Sequence, residues 1–127
     1  MTKVTILGRP IAKKNSKRLF RAGGRMIVFP SAAYERFKRD ALLQLRINGV
    51  KKVAGDVSIS YNFYFKGKMW LDFDNAMASI NDILTEAGVI DDDRNILSGS
   101  FSVTKGCKDW ETILVITKHP IDIVTLP

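Results

Sequence analysis

The stretch "DVSISYNFYF", residues 56–65, constrains the fold more than any other part of this chain. Val57, Ile59, Tyr61, Phe63 and Phe65 recur at a period of two, so one strand face carries five large apolar or aromatic side chains. Such a face is core, or a surface shared with a second copy, far more often than a platform for stacked bases. From about Asn75 to Ala87 the period becomes helical: Ala76, Met77, Ile80, Ile83, Leu84 and Ala87 form an apolar stripe, and Gly88 stands at the C′ position. An earlier helix starts at Ser31, a natural N-cap, carries Ala33, Phe37, Ala41, Leu42 and Leu45 on one side, and stops at Asn48-Gly49. "KVTILG", "ILSGSFSVTK" and "ETILVITK" are further strands, the last two separated by the turn "GCKD". Between the first strand and the first helix, "RPIAKKNSKRLFRAGGRM" is broken by Pro10 and by Gly23-Gly24, which predicts a basic loop with a hairpin turning at the glycine pair and closed by "IVF". The resulting expectation is one α+β domain over residues 1–127, a mixed β-sheet with two helices packed mainly on one face.

Charge divides this chain in two. Up to Lys68 there are sixteen Lys or Arg against three acids, and from Met69 onward four against ten, within a formal net charge of +7. A basic surface built by one half suits a polyanion, the alternative being a solvated face with no partner. Cys107 is the only cysteine, so an internal disulfide and a thiolate metal cluster within one chain are excluded. There is no apolar run of the length, about 18 residues, that spans a membrane. The opening "MTKVTILGRP" has a five-residue apolar patch and no small-residue cleavage site, which argues against a secretory signal and for a cytoplasmic protein.

The acids gather around the second helix. Asp72 and Asp74 precede it, and Asp91, Asp92 and Asp93 follow it. Carboxylates at an N-terminus need no special function, since Asp74 suits an N-cap and Asp72 the helix dipole. Three acids beyond a C-terminus run against the dipole, leaving a solvated acidic turn or a metal site as readings. A calcium EF-hand loop fails, because Ala76 and Met77 fall where an oxygen ligand and a glycine are needed. One His and one Cys do not make a closed zinc site. Mg²⁺ or Mn²⁺ remains, held by a few carboxylates with positions open to water and phosphate oxygens. Reach limits the idea: thirteen helical residues span about 20 Å, and the return from Gly88 to Asp93 covers at most about the same. Asp93 meets Asp72 only if the segment runs back along the helix, if the helix is shorter, or if a second subunit brings the knots together; Asp92 has the shorter reach.

"DFDNAMASINDILTEAGVIDDDRNI" resembles the signature of the RusA family of Holliday junction resolvases: Asp72-x-Asp74-Asn75, the pair Asp82 and Leu84, Ala87-Gly88, then Asp92-Asp93 before a strand. "LGRPIAKKNSKR" is similar to the family's opening strand and basic loop, and "VFPSAAYERFKRDALL" to its first helix. The resemblance implies a RusA-like fold and a homodimeric, Mg²⁺-dependent endonuclease, of a kind often carried by phages and prophages, that nicks paired strands of four-way junction DNA in recombination and repair. It assigns metal binding to Asp72, Asp74 and Asp93. One departure stands out: the family usually has a catalytic lysine four residues after the second Asp, and here that residue is Ala78. Of the nearby cations, Lys68 is preferred over Lys66 as the substitute, being closer to the site in sequence. Lys13, Lys14, Lys17, Arg18, Arg21 and Arg25 form the densest basic cluster and are the expected DNA-backbone contacts. Asn75 holds the loop or simply begins the helix, and Asp82 supports the site or faces solvent. Trp70 packs in a core or interface, or stacks on an unpaired base. His119 is structural or solvated, with general-base chemistry the alternative. Two further readings of the whole chain are a junction-binding protein with weak cleavage, motivated by Ala78, and a basic nucleic-acid-binding module whose acids are solvated.

Overall fold

The structure, a computed structural model, describes residues 1–13, 17–22 and 24–119, and for 17–22 and 25–30 it describes the backbone. The elements in chain order are β1 (Thr2–Leu7), β2 (Lys17–Ala22), β3 (Arg25–Pro30), α1 (Ala32–Ile47), β4 (Val57–Lys66), α2 (Phe73–Glu86), a 3₁₀ turn (Asp93–Asn95), β5 (Ile96–Cys107) and β6 (Glu111–Lys118). Four strands make one mixed sheet in the order β1-β6-β4-β5. The fold is the expected α+β arrangement. β2 and β3 pair antiparallel as a separate ribbon, the hairpin expected at the glycine pair, with Gly24 at φ +76°.

β4 is central because its sequence demands it. Val57, Ile59, Tyr61, Phe63 and Phe65 are all buried, and the strand is flanked by β6 on one side and β5 on the other. Pairing between β4 and β5 is parallel, which requires a crossover, and α2 supplies it. β6 then runs antiparallel between β4 and β1, so the "GCKD" turn joins strands that are not neighbours. The edge of β4 next to that turn is already taken by β5, and β6 must pass to the far edge to pair.

α1 is capped as expected: Ser31 Oγ accepts from the Tyr34 N–H at 3.1 Å, and Tyr34, Phe37, Ala41 and Leu45 are buried. α2 differs at both ends from its expected span. It begins at Phe73, with Asp72 as the N-cap and Asp74 inside the first turn. The expected cap at Asp74 is corrected because Asp72 has the extended backbone and its side chain accepts from the Asp74 N–H at 3.0 Å. The helix buries Ala76, Ser79, Ile80, Ile83 and Leu84, whereas Ala87 is exposed and Met77 half-buried. Gly88 does stand beyond the helix end, at φ +74°, a backbone that favours glycine. Val89 and Ile90 then bury beneath the helix, their N–H groups donating to the Leu84 carbonyl at 2.9 and 3.4 Å.

Candidate active site

Asp72 is fixed by local bonds. Its Oδ1 accepts from the Asp74 N–H at 3.0 Å and its Oδ2 from Asn75 Nδ2 at 3.2 Å. Asn75 thus holds the N-cap carboxylate rather than merely beginning the helix. Each oxygen of an ionised carboxylate has a second lone pair, so both remain able to bind a cation. Asp74 is exposed one position inside the helix. Both lie at the N-terminal end of α2.

The second acidic knot returns to the same helix. Val89 C=O accepts from the Val53 N–H at 2.8 Å, and Asp91 is clamped by the Gly55 N–H at 2.8 Å and by Lys52. These bonds hold the Asp91 carboxyl below the usual carboxylate range, the Gly55 N–H being the larger cause. Asp92 caps the 3₁₀ turn, accepting from the Arg94 N–H at 2.9 Å, and that bond lowers its pKa, with help from Asp93. Asp93 is pushed the other way. Its hydrogen bond with Asp92 comes first, then desolvation, then the negative charges of Asp92 and Asp82.

Asp93 lines a cleft of about 530 Å³ with Tyr61, Met77, Asn81, Leu97 and Phe101, so the segment after Gly88 has run back along α2. Asp74 is three residues before Met77 and seven before Asn81, hence on the same helix face. Asp74 and the cleft that holds Asp93 therefore share one face of α2, with about 10 Å of helix between Asp74 and Asn81. Among the described residues, no three carboxylate, histidine or cysteine side chains are grouped so as to hold one metal ion. In donor type these carboxylate oxygens suit a hard divalent cation. Deep in the cleft, Tyr61 donates to Asn81 Oδ1 at 2.6 Å, and burial pushes its pKa up to about 12.

The basic segment reaches this helix from β1. The Lys13 N–H donates to the buried Ser79 Oγ at 3.2 Å, which pins the start of the loop to the middle of α2 while the Lys13 residue stays exposed. Lys17, Arg18 and Arg21 lie on β2 and Arg25 on β3, with side chains outside what is described; Lys14 lies outside the described residues. Lys68 is exposed on the turn after β4, whose Gly67 bonds to the end of β5: Gly67 N–H to Cys107 O at 3.0 Å and Gly106 N–H to Gly67 O at 2.9 Å. Trp70 is 56% exposed, not core; its edge packs on Phe65 at 5.7 Å and Lys105 Nζ lies 4.9 Å from its ring centroid. His119 is structural here, its N–H donating to Asp56 O and its Nδ1 lying 3.3 Å from the Ser58 and Ser98 hydroxyls.

Sequence reasoning missed Ser79, Asn81 and Lys105. Ser79 left a trace, a hydroxyl one turn after Ala76 on an otherwise apolar stripe. Lys105 left none, since only strand pairing brings it to Trp70.

A protein-family model described as endodeoxyribonuclease RusA matches residues 8–113, a span that includes both acidic knots and the whole of α2. Among curated proteins, none matches the chain.

Proposed function

This chain belongs to the RusA family of endodeoxyribonucleases, and we propose that it cuts four-way DNA junctions by metal-dependent phosphodiester hydrolysis, as a cytoplasmic homodimer serving DNA recombination and repair. The observation that carries this reading is that Asp72 and Asp74 stand at the start of α2, that the chain returns along this helix to a cleft lined by Asp93, and that a basic segment is pinned to the same helix. Asp72, Asp74 and Asp93 are the ligands of Mg²⁺, with Mn²⁺ the alternative. When bound, the cation supplies Lewis-acid polarisation of the phosphate and a water of lowered pKa. Everything else falls to the chain. Asn75 orients Asp72, and Asp92 shares its hydrogen bond with Asp93. Lys13, Lys14, Lys17, Arg18, Arg21 and Arg25 hold the DNA backbone by charge, and Lys68 donates to the phosphate from the turn that leads into the site. Paired incisions across a nearly two-fold junction require two copies, because one chain carries one set of these carboxylates. A second copy also offers another way for the knots to meet.

The test is nicking of a synthetic four-way junction against linear duplex and single strands, with Mg²⁺, with Mn²⁺ and with a chelator. Paired nicks confined to the junction and lost on chelation are expected. Equal cutting of linear duplex removes the junction specificity. Binding without nicking favours the second reading, a junction-binding protein with feeble chemistry, for which the exposed Ala78 speaks.

A further inference from the structure

Asp72 is bracketed by two contacts with β5. Phe73, the residue after it, stacks on Phe101 with ring centroids 4.2 Å apart and planes 16° from parallel. Trp70, two residues before it, carries Lys105 Nζ 4.9 Å from its ring centroid. Since Phe101 and Lys105 lie on one strand, residues 70–73 run along β5 in the opposite direction, with Asp72 between the anchors. Leu71 turns inward against the core, as does Val103 of β5, whereas Trp70 and Asp72 are exposed. Trp70 and Asp72 are thus exposed positions on either side of Leu71, about 7 Å apart along the chain. The indole is not free to drift, because its edge lies against the fully buried Phe65 at an interplanar angle of 81°.

Lys105 is thus a cation held on Trp70, two residues before Asp72 in the chain. Lys38 and Lys52 pair with Glu86 and Asp91, but Lys105 makes no ion pair with a described residue. An ammonium over an indole face spends little of its hydrogen-bonding capacity there, and its other donors remain for an oxygen anion. We propose, resting on the endonuclease reading above, that Lys105, alongside Lys68 on the turn, supplies from β5 the positive charge that the family resemblance puts at position 78, where this chain has Ala78. It donates hydrogen bonds to a non-bridging oxygen of the scissile phosphate as negative charge builds there, and stays protonated throughout. Trp70 is the positioning residue that keeps it beside Asp72.

Single-turnover cleavage and equilibrium binding of a four-way junction test this, on parent, Lys105→Ala, Lys105→Arg, Lys105→Ala with Ala78→Lys, and Asp72→Asn. The expected result for Lys105→Ala is a fall in rate of about 10²-fold or more, with binding changed by less than about threefold. Lys105→Arg keeps the charge and should retain most of the rate. Adding Ala78→Lys to Lys105→Ala should recover at least about tenfold, an outcome that a purely structural role for Lys105 does not give. A parental rate in Lys105→Ala, with cleavage lost in Asp72→Asn, overturns the role of Lys105 and leaves the endonuclease reading standing. Cleavage that survives Asp72→Asn, or a parent that binds junctions without cutting, overturns both.

Discussion

β4 and β5 are parallel neighbours of similar length, yet they carry opposite burdens. β4 alternates buried and half-buried residues from Val57 to Phe65, with Ile59, Phe63 and Phe65 at or near zero exposure. β5 is exposed at nine of its twelve positions, its register slips at both ends, and Phe101 remains 51% exposed. The reason is position. β4 has a strand on either side and helices over one face, whereas β5 is an edge whose long side pairs with nothing among the described residues. An edge contributes little to the core and is free to carry side chains chosen for chemistry. Here it lends Phe101 to Phe73 and Lys105 to Trp70, the two contacts that flank Asp72. Stability resides in the central strand and the site is braced by the marginal one.

The sharpest way to separate the two roles is to remove chemistry without touching the fold. Asp72→Asn should abolish cleavage, by about 10³-fold or more, while thermal unfolding barely moves, because Asn caps a helix about as well as Asp. Junction binding should survive or tighten, since a negative charge facing phosphate is gone. Wild-type cleavage by this variant, read in single-turnover assays, removes the metal-ligand assignment.

In β4 the expectation reverses. Phe63→Ala leaves a cavity in the core and should cost about 3–5 kcal/mol in urea denaturation. The folded fraction at low temperature should still cut. If instead its activity is lost while it is fully folded, the central strand is part of the site and the contrast fails.

Gly99 is the one place where β5 is as demanding as β4. A Cβ there would meet the Ile59 carbonyl oxygen, which is backbone and has no rotamer to escape into. Gly99→Ala should cost about 1–3 kcal/mol, as overpacking does. A neutral result would mean that β5 shifts away from β4 at little cost.

The smallest stability effect is expected at Phe101. Phe101→Ala removes a half-exposed ring and one aromatic stack, a loss of about 1 kcal/mol, but it loosens the segment carrying Asp72 and should slow cleavage about tenfold. A stability loss equal to that of Phe63→Ala would erase the distinction between the strands.

Much of this was legible in the chain because it depends on contiguous residues. The period of two in β4, the Ser31 cap, Gly24 in the hairpin turn and the turn at Gly88 each express a local backbone preference, and each appears where expected. The spacing from Asp72 to Asp93 likewise carried the family. Other features were open to either outcome. Asp72 and Asp74 are equally good caps by composition, and the choice between them rests on the extended backbone that Leu71 and Phe73 impose by packing inward. Ser79 sits where a stripe of apolar residues was expected, because the Lys13 backbone comes down onto the helix there and needs an acceptor.

By itself, then, the sequence determined the elements, the helix over one sheet face and the carboxylate pattern, since these follow from periodicity and capping within a few residues of chain. Only the tertiary structure decided that β6 enters between β1 and β4, that the segment after Gly88 folds back to put Asp93 in the cleft that Asn81 also lines, and that Lys105 comes to rest on Trp70. Each of these joins residues far apart along the chain. Their meeting is set by which strand edges remain open and which apolar side chains must be covered, and no local preference records that.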